Sequence, residues 1–249
     1  MLNMDRPLGW RKRIGVLSPT VMETANHDFF RVAPDGVTQC AITSNVEHWD
    51  NENFKARVID PLIGMSKYLA SREVDYIMHC GMPVVTLRGK GFEEEIVGMI
   101  TEATGLPAST SIRSAVLALQ HMNIKKVAVV SPYPKETHDS AIKFLRASGI
   151  EVVADHTEDV VFKRLQDVTP KHIATIAKGI FESVPNVDGV YIPCNQWRAF
   201  ESAILLEQSI PVPAISGAHA DLWEAFRVLG IHDPLEGNGR LMDNLRGQG

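Results

Sequence analysis

Lys12-Arg13-Ile14-Gly15-Val16-Leu17-Ser18-Pro19-Thr20 returns 113 residues later as Lys125-Lys126-Val127-Ala128-Val129-Val130-Ser131-Pro132-Tyr133. Each copy is a basic pair, a short β-branched apolar run, then Ser-Pro. A run of this length and composition between polar flanks is the pattern of a buried parallel strand. The same offset relates Val74-Asp75-Tyr76-Ile77-Met78-His79 to Val187-Asp188-Gly189-Val190-Tyr191-Ile192. Gly105-Leu106-Pro107-Ala108-Ser109 has a looser partner in Ile210-Pro211-Val212-Pro213-Ala214-Ile215-Ser216. Two ungapped matches at one offset indicate a duplicated unit, and the period is far longer than that of a solenoid repeat.

Strands are expected at Ile14–Ser18, Val37–Thr43, Tyr76–His79, Val127–Ser131, Val152–Ala154, Val190–Pro193 and Val212–Ile215. Between them lie amphipathic stretches. Ile173, Ile176, Ala177, Ile180, Phe181 and Val184 form one helical stripe. Thr169 is its expected N-cap, with Pro170 at the first helical position. Helices are also expected at Phe92–Thr104, Ile112–Met122, His138–Ala147, Trp197–Glu207 and Asp221–Leu229, and a loop from Gly237 onward. Alternating strands and helices give parallel sheets with right-handed crossovers. The expected fold is α/β: two pseudo-symmetric flavodoxin-like domains, each a small parallel sheet flanked by helices, with the active site in the cleft between them. The expected division is 1–111 plus 218–249 for the first half and 112–217 for the second.

Composition narrows the class of function. The chain has 249 residues, 45% of them hydrophobic, enough for substantial cores. Its net charge is −5 with no basic stripe, which speaks against a nucleic-acid partner. No apolar run reaches the roughly 18 residues of a membrane helix, and the N-terminus lacks the pattern of a signal peptide. Three cysteines make no disulfide framework, so a cytoplasmic location is expected.

In open parallel sheets ligands bind beyond the carboxyl ends of the strands. The residues there are Ser18, Pro19, Thr20, His79, Cys80, Gly81, Ser109, Thr110 and Ser111 in the first half, and Ser131, Pro132, Tyr133, Cys194, Asn195, Ser216 and Gly217 in the second. No GxGxxG or GxxxxGK[ST] phosphate loop occurs, and no HExxH or CxxC metal spacing, so neither a cofactor nor a metal is signalled. Hydroxyls and backbone N–H groups near helix starts suit a carboxylate. Cys194, between a strand and an expected helix N-terminus, stands where a thiolate is favoured; the alternative is a small packed residue. The ungapped offset places Gly81, not Cys80, opposite Cys194. Either the loop absorbs one residue and both thiols face the cleft, or Cys194 stands alone. Cys40 is expected in the core, and His79, His138 and His219 are candidates to titrate near neutrality.

These features resemble the aspartate/glutamate racemase superfamily, in the branch of maleate cis-trans isomerases and arylmalonate decarboxylases. The likeness is carried by the duplicated halves, by Glu102-Ala103-Thr104-Gly105-Leu106-Pro107, by Ser114-Ala115-Val116-Leu117, by the Val127–Tyr133 segment, by Asp188-Gly189 leading to Cys194, and by Pro213–Ser216 through Asp221–Ala225. It implies a cofactor-independent isomerase or racemase acting on a small carboxylate or dicarboxylate through Cys194 and Cys80, as a homodimer. It equally accommodates a decarboxylase in which Cys194 is the sole proton donor and Gly81 replaces the first-half thiol. Tyr133 then matches the pocket tyrosine, while Met82 and Pro83 stand where the decarboxylases carry hydroxyls. Ser18, Thr20, Ser131, Tyr133 and Ser216, with the amides of Gly81, Asn195 and Gly217, are the expected substrate cradle. An expectation of another class is a non-catalytic two-lobed binder of small carboxylates.

Overall fold

In the computed structural model, residues 5–46 and 50–247 are described. The expected first half also includes 1–4, 47–49 and 248–249, which lie outside the described residues. In chain order the elements are β1 (Lys12–Ser18), α1 (Glu23–Val32), β2 (Val37–Thr43), α2 (Asn51–Phe54, continuing as a π turn over Lys55–Ile59), α3 (Leu62–Ser71), β3 (Tyr76–His79), α4 (Met82–Thr86), α5 (Phe92–Thr104), β4 (Ala108–Thr110) and α6 (Ser111–His121). The second set is β5 (Lys126–Ser131), α7 (Lys135–Ala147), β6 (Glu151–Thr157), a 3-10 turn (Phe162–Asp167), α8 (Pro170–Glu182), β7 (Gly189–Ile192), α9 (Ala199–Glu207), β8 (Ala214–Ser216), α10 (Gly217–Val228) and α11 (Arg240–Asp243).

The strands form two four-stranded parallel sheets, β2-β1-β3-β4 and β6-β5-β7-β8. Both run in the flavodoxin order, so each has its topological switch point between its first and third strands. The repeat offset is a register. Ile14 pairs with Tyr76 in one sheet and Val127 with Gly189 in the other; Val16–Met78 is likewise matched by Val129–Tyr191. The Val-Asp pairs have a shared structural cause. Asp75 Oδ2 accepts the Arg13 N–H at 2.8 Å, and Asp188 Oδ2 accepts the Lys126 N–H at 2.8 Å. Each aspartate thereby fixes the start of the central strand in its half. The looser match aligns Pro107-Ala108 with Pro213-Ala214, whose carbonyls accept from Ile77 and Val190.

The central strands are buried on both faces, Val127–Val130 and Val190 entirely so, which is why they read as unbroken apolar runs. Thr169 caps α8 through the His172 N–H, as expected. α6 and α10 pack against each other and touch both sheets. Three expectations shift. α9 starts at Ala199, because 195–198 form a turn and Trp197 is fully buried rather than first in the helix. α10 begins at Gly217, capped by the Ser216 hydroxyl. The expected loop after Gly237 contains α11, held where the Arg240 N–H and guanidinium bond Glu207 and the carbonyls of Ile210 and Pro211. Among the described residues no helix is long and apolar enough to cross a membrane.

Gly189 starts β7 because nothing larger fits: an added Cβ would meet Ile124 Cδ1 at 2.5 Å and the Pro213 carbonyl at 3.1 Å. Gly189→Ala is expected to cost about 1–3 kcal/mol through overpacking, read as a lower midpoint in urea with an unchanged slope. An unchanged midpoint would refute this packing account.

Candidate active site

The switch points of the two sheets meet in one pocket. β1 delivers Pro19 and Thr20, the turn after β3 Gly81, Met82 and Pro83, β5 Tyr133, and the turn after β7 Cys194, Asn195 and Gln196; Ser111 and Gly217 arrive at the first positions of α6 and α10. Met22, Phe162 and Tyr191 complete the wall. The enclosed space is about 20 Å³. That holds a water-sized guest, so a carboxylate must displace the flexible Met22 or Met82 or open the halves.

The question of the one-residue slip has a backbone answer. Gly81 and Cys194 are equivalent in register, and both take left-handed φ, 94° and 84°. Pro193 is therefore the counterpart of Cys80. A non-glycine residue held at positive φ costs about 1–3 kcal/mol and persists only where its surroundings enforce it. Here the left-handed turn presents the Cys194 sulfur to the pocket. The structure does not bring both thiols there. Cys80 lines a neighbouring cavity of about 60 Å³ among Ile14, Val16, Phe29 and Met78, and its sulfur lies 3.6 Å from Asp221 Oδ2.

The thiol is tuned opposite to expectation. Burial pushes the Cys194 pKa up, against the Gln196 and Trp197 backbone N–H groups and the Tyr133 hydroxyl, which pull it down. The helix that was to favour the thiolate begins five residues on, leaving only those two turn amides. Cys194 thus rests as a thiol. Burial also raises the Cys80 thiol, and the Asp221 charge adds to it.

The expected cradle is only partly assembled. Thr20, Gly81, Tyr133, Asn195 and Gly217 line the pocket. Ser18 does not: its hydroxyl is turned to the Thr20 carbonyl and it borders the Cys80 cavity. Ser131 shares a 2.8 Å hydrogen bond with His138 Nδ1, and Ser216 a 2.7 Å one with His219 Nδ1. Both serines are occupied in structural bonds away from the pocket. Two of the candidate histidines do not titrate near neutrality. Burial lowers His79 to about 4 and His219 to about 3, and His219 lies flat on Phe200 at 3.7 Å between ring centres.

Ser111, expected at a strand end but not in the cradle, lines the pocket, and Asp221, outside the expected site, stands behind it. Asp221 Oδ2 accepts from Ser111 Oγ at 2.7 Å and from Asn195 Nδ2 at 2.7 Å. Burial raises its pKa to about 7 against those bonds, with Glu224 adding to the rise. The signal in the sequence is a pair of acids, Asp221 and Glu224, among the small and aromatic residues of one helix's buried face. The raised pKa fixes a sign. The folded state holds the proton over a range where the unfolded chain has released it, so stability is lost as pH rises from about 4 to about 7. The melting temperature of Asp221→Asn relative to the parent should therefore climb across that window and level off above it. A constant difference across the window would contradict the assignment.

A family model described as arylmalonate decarboxylase (Amdase) matches residues 14–242. Among curated proteins, arylmalonate decarboxylase of Bordetella bronchiseptica is 22% identical over 188 residues, covering 75% of this chain and 78% of that protein. Among solved structures, a double variant of arylmalonate decarboxylase in liganded form superposes with a TM-score of 0.86 at 20% identity, over 94% of this chain and 99% of that one. The Nocardia farcinica maleate cis-trans isomerase, solved as a Cys→Ser variant with a covalently bound succinylcysteine intermediate, gives 0.84 at 16% identity, over 94% and 98%. At these identities the superpositions speak for the fold.

Proposed function

Because the chain belongs to the arylmalonate decarboxylase family, we propose that it is a cofactor-independent enzyme that removes one carboxylate from a small malonate-type acid, with Cys194 as the single proton donor. The observation that carries this reading is the equivalence of Gly81 and Cys194: the same backbone turn bears a thiol on one side of the pocket and none on the other.

The pocket suits the chemistry. Pro19, Met22, Met82, Pro83 and Phe162 offer apolar surface to the departing carboxylate, and loss of its charge as CO2 is favoured in dry surroundings. The C–C bond breaks, the electron pair stays on the α-carbon, and the remaining carboxylate becomes an enediolate. In this reading the Thr20 hydroxyl and the N–H groups around Gly81, Asn195 and Gly217 hold that charge, usually the largest catalytic contribution. The Cys194 S–H then transfers its proton to carbon, and the thiolate is reprotonated by water. A thiol whose pKa burial has raised is a competent acid for this step. Tyr133, hydrogen-bonded to the sulfur, orients it and stabilises the thiolate.

Two-thiol isomerisation, expected from the resemblance, is the second outcome of the test. It needs Cys80 as a nucleophile, against its burial and the Asp221 charge. Membership of an enzyme family weighs against the binder. The homodimer and the cytoplasmic location belong to the same reading, and gel filtration tests the former.

The experiment is to incubate the protein separately with phenylmalonate and with maleate in deuterium oxide. Decarboxylation yields CO2 and phenylacetate with one solvent deuterium. Fumarate from maleate without CO2 would replace this reading by the two-thiol one. A further expectation concerns the thiol itself. Its alkylation by iodoacetamide at pH 7 should be slower than that of a free model thiol and still rising past pH 9. Saturation below pH 8 would refute a proton-holding Cys194.

A further inference from the structure

We propose that Asp221 is a positioning residue whose charge decides whether the Cys194 pocket admits an anion; this rests on the reading that the pocket takes a carboxylate. Asp221 comes from α10 and is 6% exposed. One of its oxygens, Oδ2, accepts from Ser111 and Asn195, both at 2.7 Å, and faces the Cys80 thiol at 3.6 Å. Ser111 and Asn195 are also walls of the Cys194 pocket. These two side-chain donors of the pocket wall are thus already turned toward a carboxylate behind them.

Apart from the Thr20 hydroxyl and the backbone N–H groups, little else in the pocket can replace them. No Lys or Arg lines it among the described residues. Tyr133 is engaged with the Cys194 sulfur, Ser18 with a carbonyl, and Ser131 and Ser216 with histidines. Three arginines are engaged elsewhere: Arg88 lies over Phe92, Arg198 bonds Glu201, and Arg113 bonds Glu224 at 3.0 Å. An anion that recruits the side-chain donors Ser111 and Asn195 in addition must win them from Asp221. An ionised acceptor holds its donors about twice as strongly as a neutral one, and two carboxylates one side chain apart repel each other. A proton on Asp221 removes both obstacles.

The surroundings make that proton available. Facing Asp221 are Cys80 from the end of β3, Ser111 from α6, Asn195 from the turn before α9, and Glu224 one turn along α10, already paired with Arg113. Tyr76, Tyr133 and Tyr191 feel its charge and are neutral phenols. None of these is a free cation, and among the described residues Asp221 Oδ1 is buried without a hydrogen-bond partner. Burial accordingly raises the carboxyl to about 7. Asn195 cannot swing away freely, because its Oδ1 sits against Gly217, where an added Cβ would meet it at 2.4 Å. The switch lies in the strength of the bonds rather than in a moving loop.

The test uses two alkylating reagents of nearly equal size, anionic iodoacetate and neutral iodoacetamide. Their rates at Cys194 are followed by peptide mass spectrometry from pH 6 to 8.5. Both need the same thiolate, so the ratio of rates cancels thiol ionisation and reports the pocket's tolerance of an anion. In the parent, the iodoacetate-to-iodoacetamide ratio should fall about tenfold as pH passes 7, the scale of a nearby unit charge in protein. In Asp221→Asn, and in Asp221→Ser as a second neutral variant, the ratio should be higher at pH 8 and flat. A flat parent ratio, a slope surviving in the variants, or a Cys194 closed to both reagents would overturn the proposal. Calorimetry with phenylmalonate separates the two claims. The expected ratios without phenylmalonate binding would sustain the role of Asp221 and remove the carboxylate reading.

Discussion

Cys194→Ser is expected to lower the turnover of the proposed decarboxylation about 10²- to 10⁴-fold, the range that a positioned general acid contributes. Serine keeps the size and the left-handed turn but holds its proton too tightly to deliver it to carbon. The loss should fall on kcat, with KM nearly unchanged, because the group acts after the substrate is bound. Circular dichroism and urea unfolding of the variant should match the parent. A variant retaining more than about a tenth of parental kcat would place the proton donor elsewhere.

The second large effect belongs to Gly81→Ala. Gly81 sits at φ 94°, and an added Cβ would meet Pro19 Cγ at 2.6 Å and Cδ at 2.9 Å. Pro19 is a pocket wall on a rigid ring and cannot yield like the end of a flexible chain. The substitution therefore shifts the β1 and β3 sides of the pocket relative to Cys194. A displacement of about 1 Å at a reacting centre costs on the order of 100-fold, and kcat/KM should fall by that much. Gly89→Ala is the control. Gly89 takes φ 95° with nothing within 4 Å of the added carbon. It should lose a comparable 1–3 kcal/mol from strain alone and keep parental kcat/KM. Equal activity losses in both variants would show backbone strain, not the Pro19 contact, to be responsible.

The architecture was legible because its cause is local and repeated. Basic residues, a β-branched run and Ser-Pro recur at a fixed offset, and the offset survives as strand register because Asp75 and Asp188 hold equivalent backbone amides. The pocket's location followed from the strand order. The ungapped offset itself set Gly81 opposite Cys194. Choosing that alignment over a one-residue slip required backbone dihedrals, since a left-handed cysteine has no sequence signature. The direction of the thiol's pKa shift was misread for a related reason. The N-terminus of α9 was expected at Trp197, and burial of that indole displaces it to Ala199. Ser131 and Ser216 stand at strand ends as expected, yet each is bonded to a histidine on the following helix. Hydroxyl placement is visible in a sequence; hydroxyl partnership is a tertiary property. The role of Asp221 is not legible locally, because its partners Ser111 and Asn195 are 110 and 26 residues away.

The central claim is that a single thiol protonates a single face of the carbanion. Its most direct test is the handedness of the product from a prochiral disubstituted arylmalonate, α-methyl-α-phenylmalonate, resolved by chiral chromatography. With Cys194 alone on one side of the pocket and Gly81 opposite, 2-phenylpropionate should emerge as essentially one enantiomer, and Cys80→Ala should preserve both rate and handedness. A racemic product, or a Cys80→Ala variant as inactive as Cys194→Ser, would contradict the account.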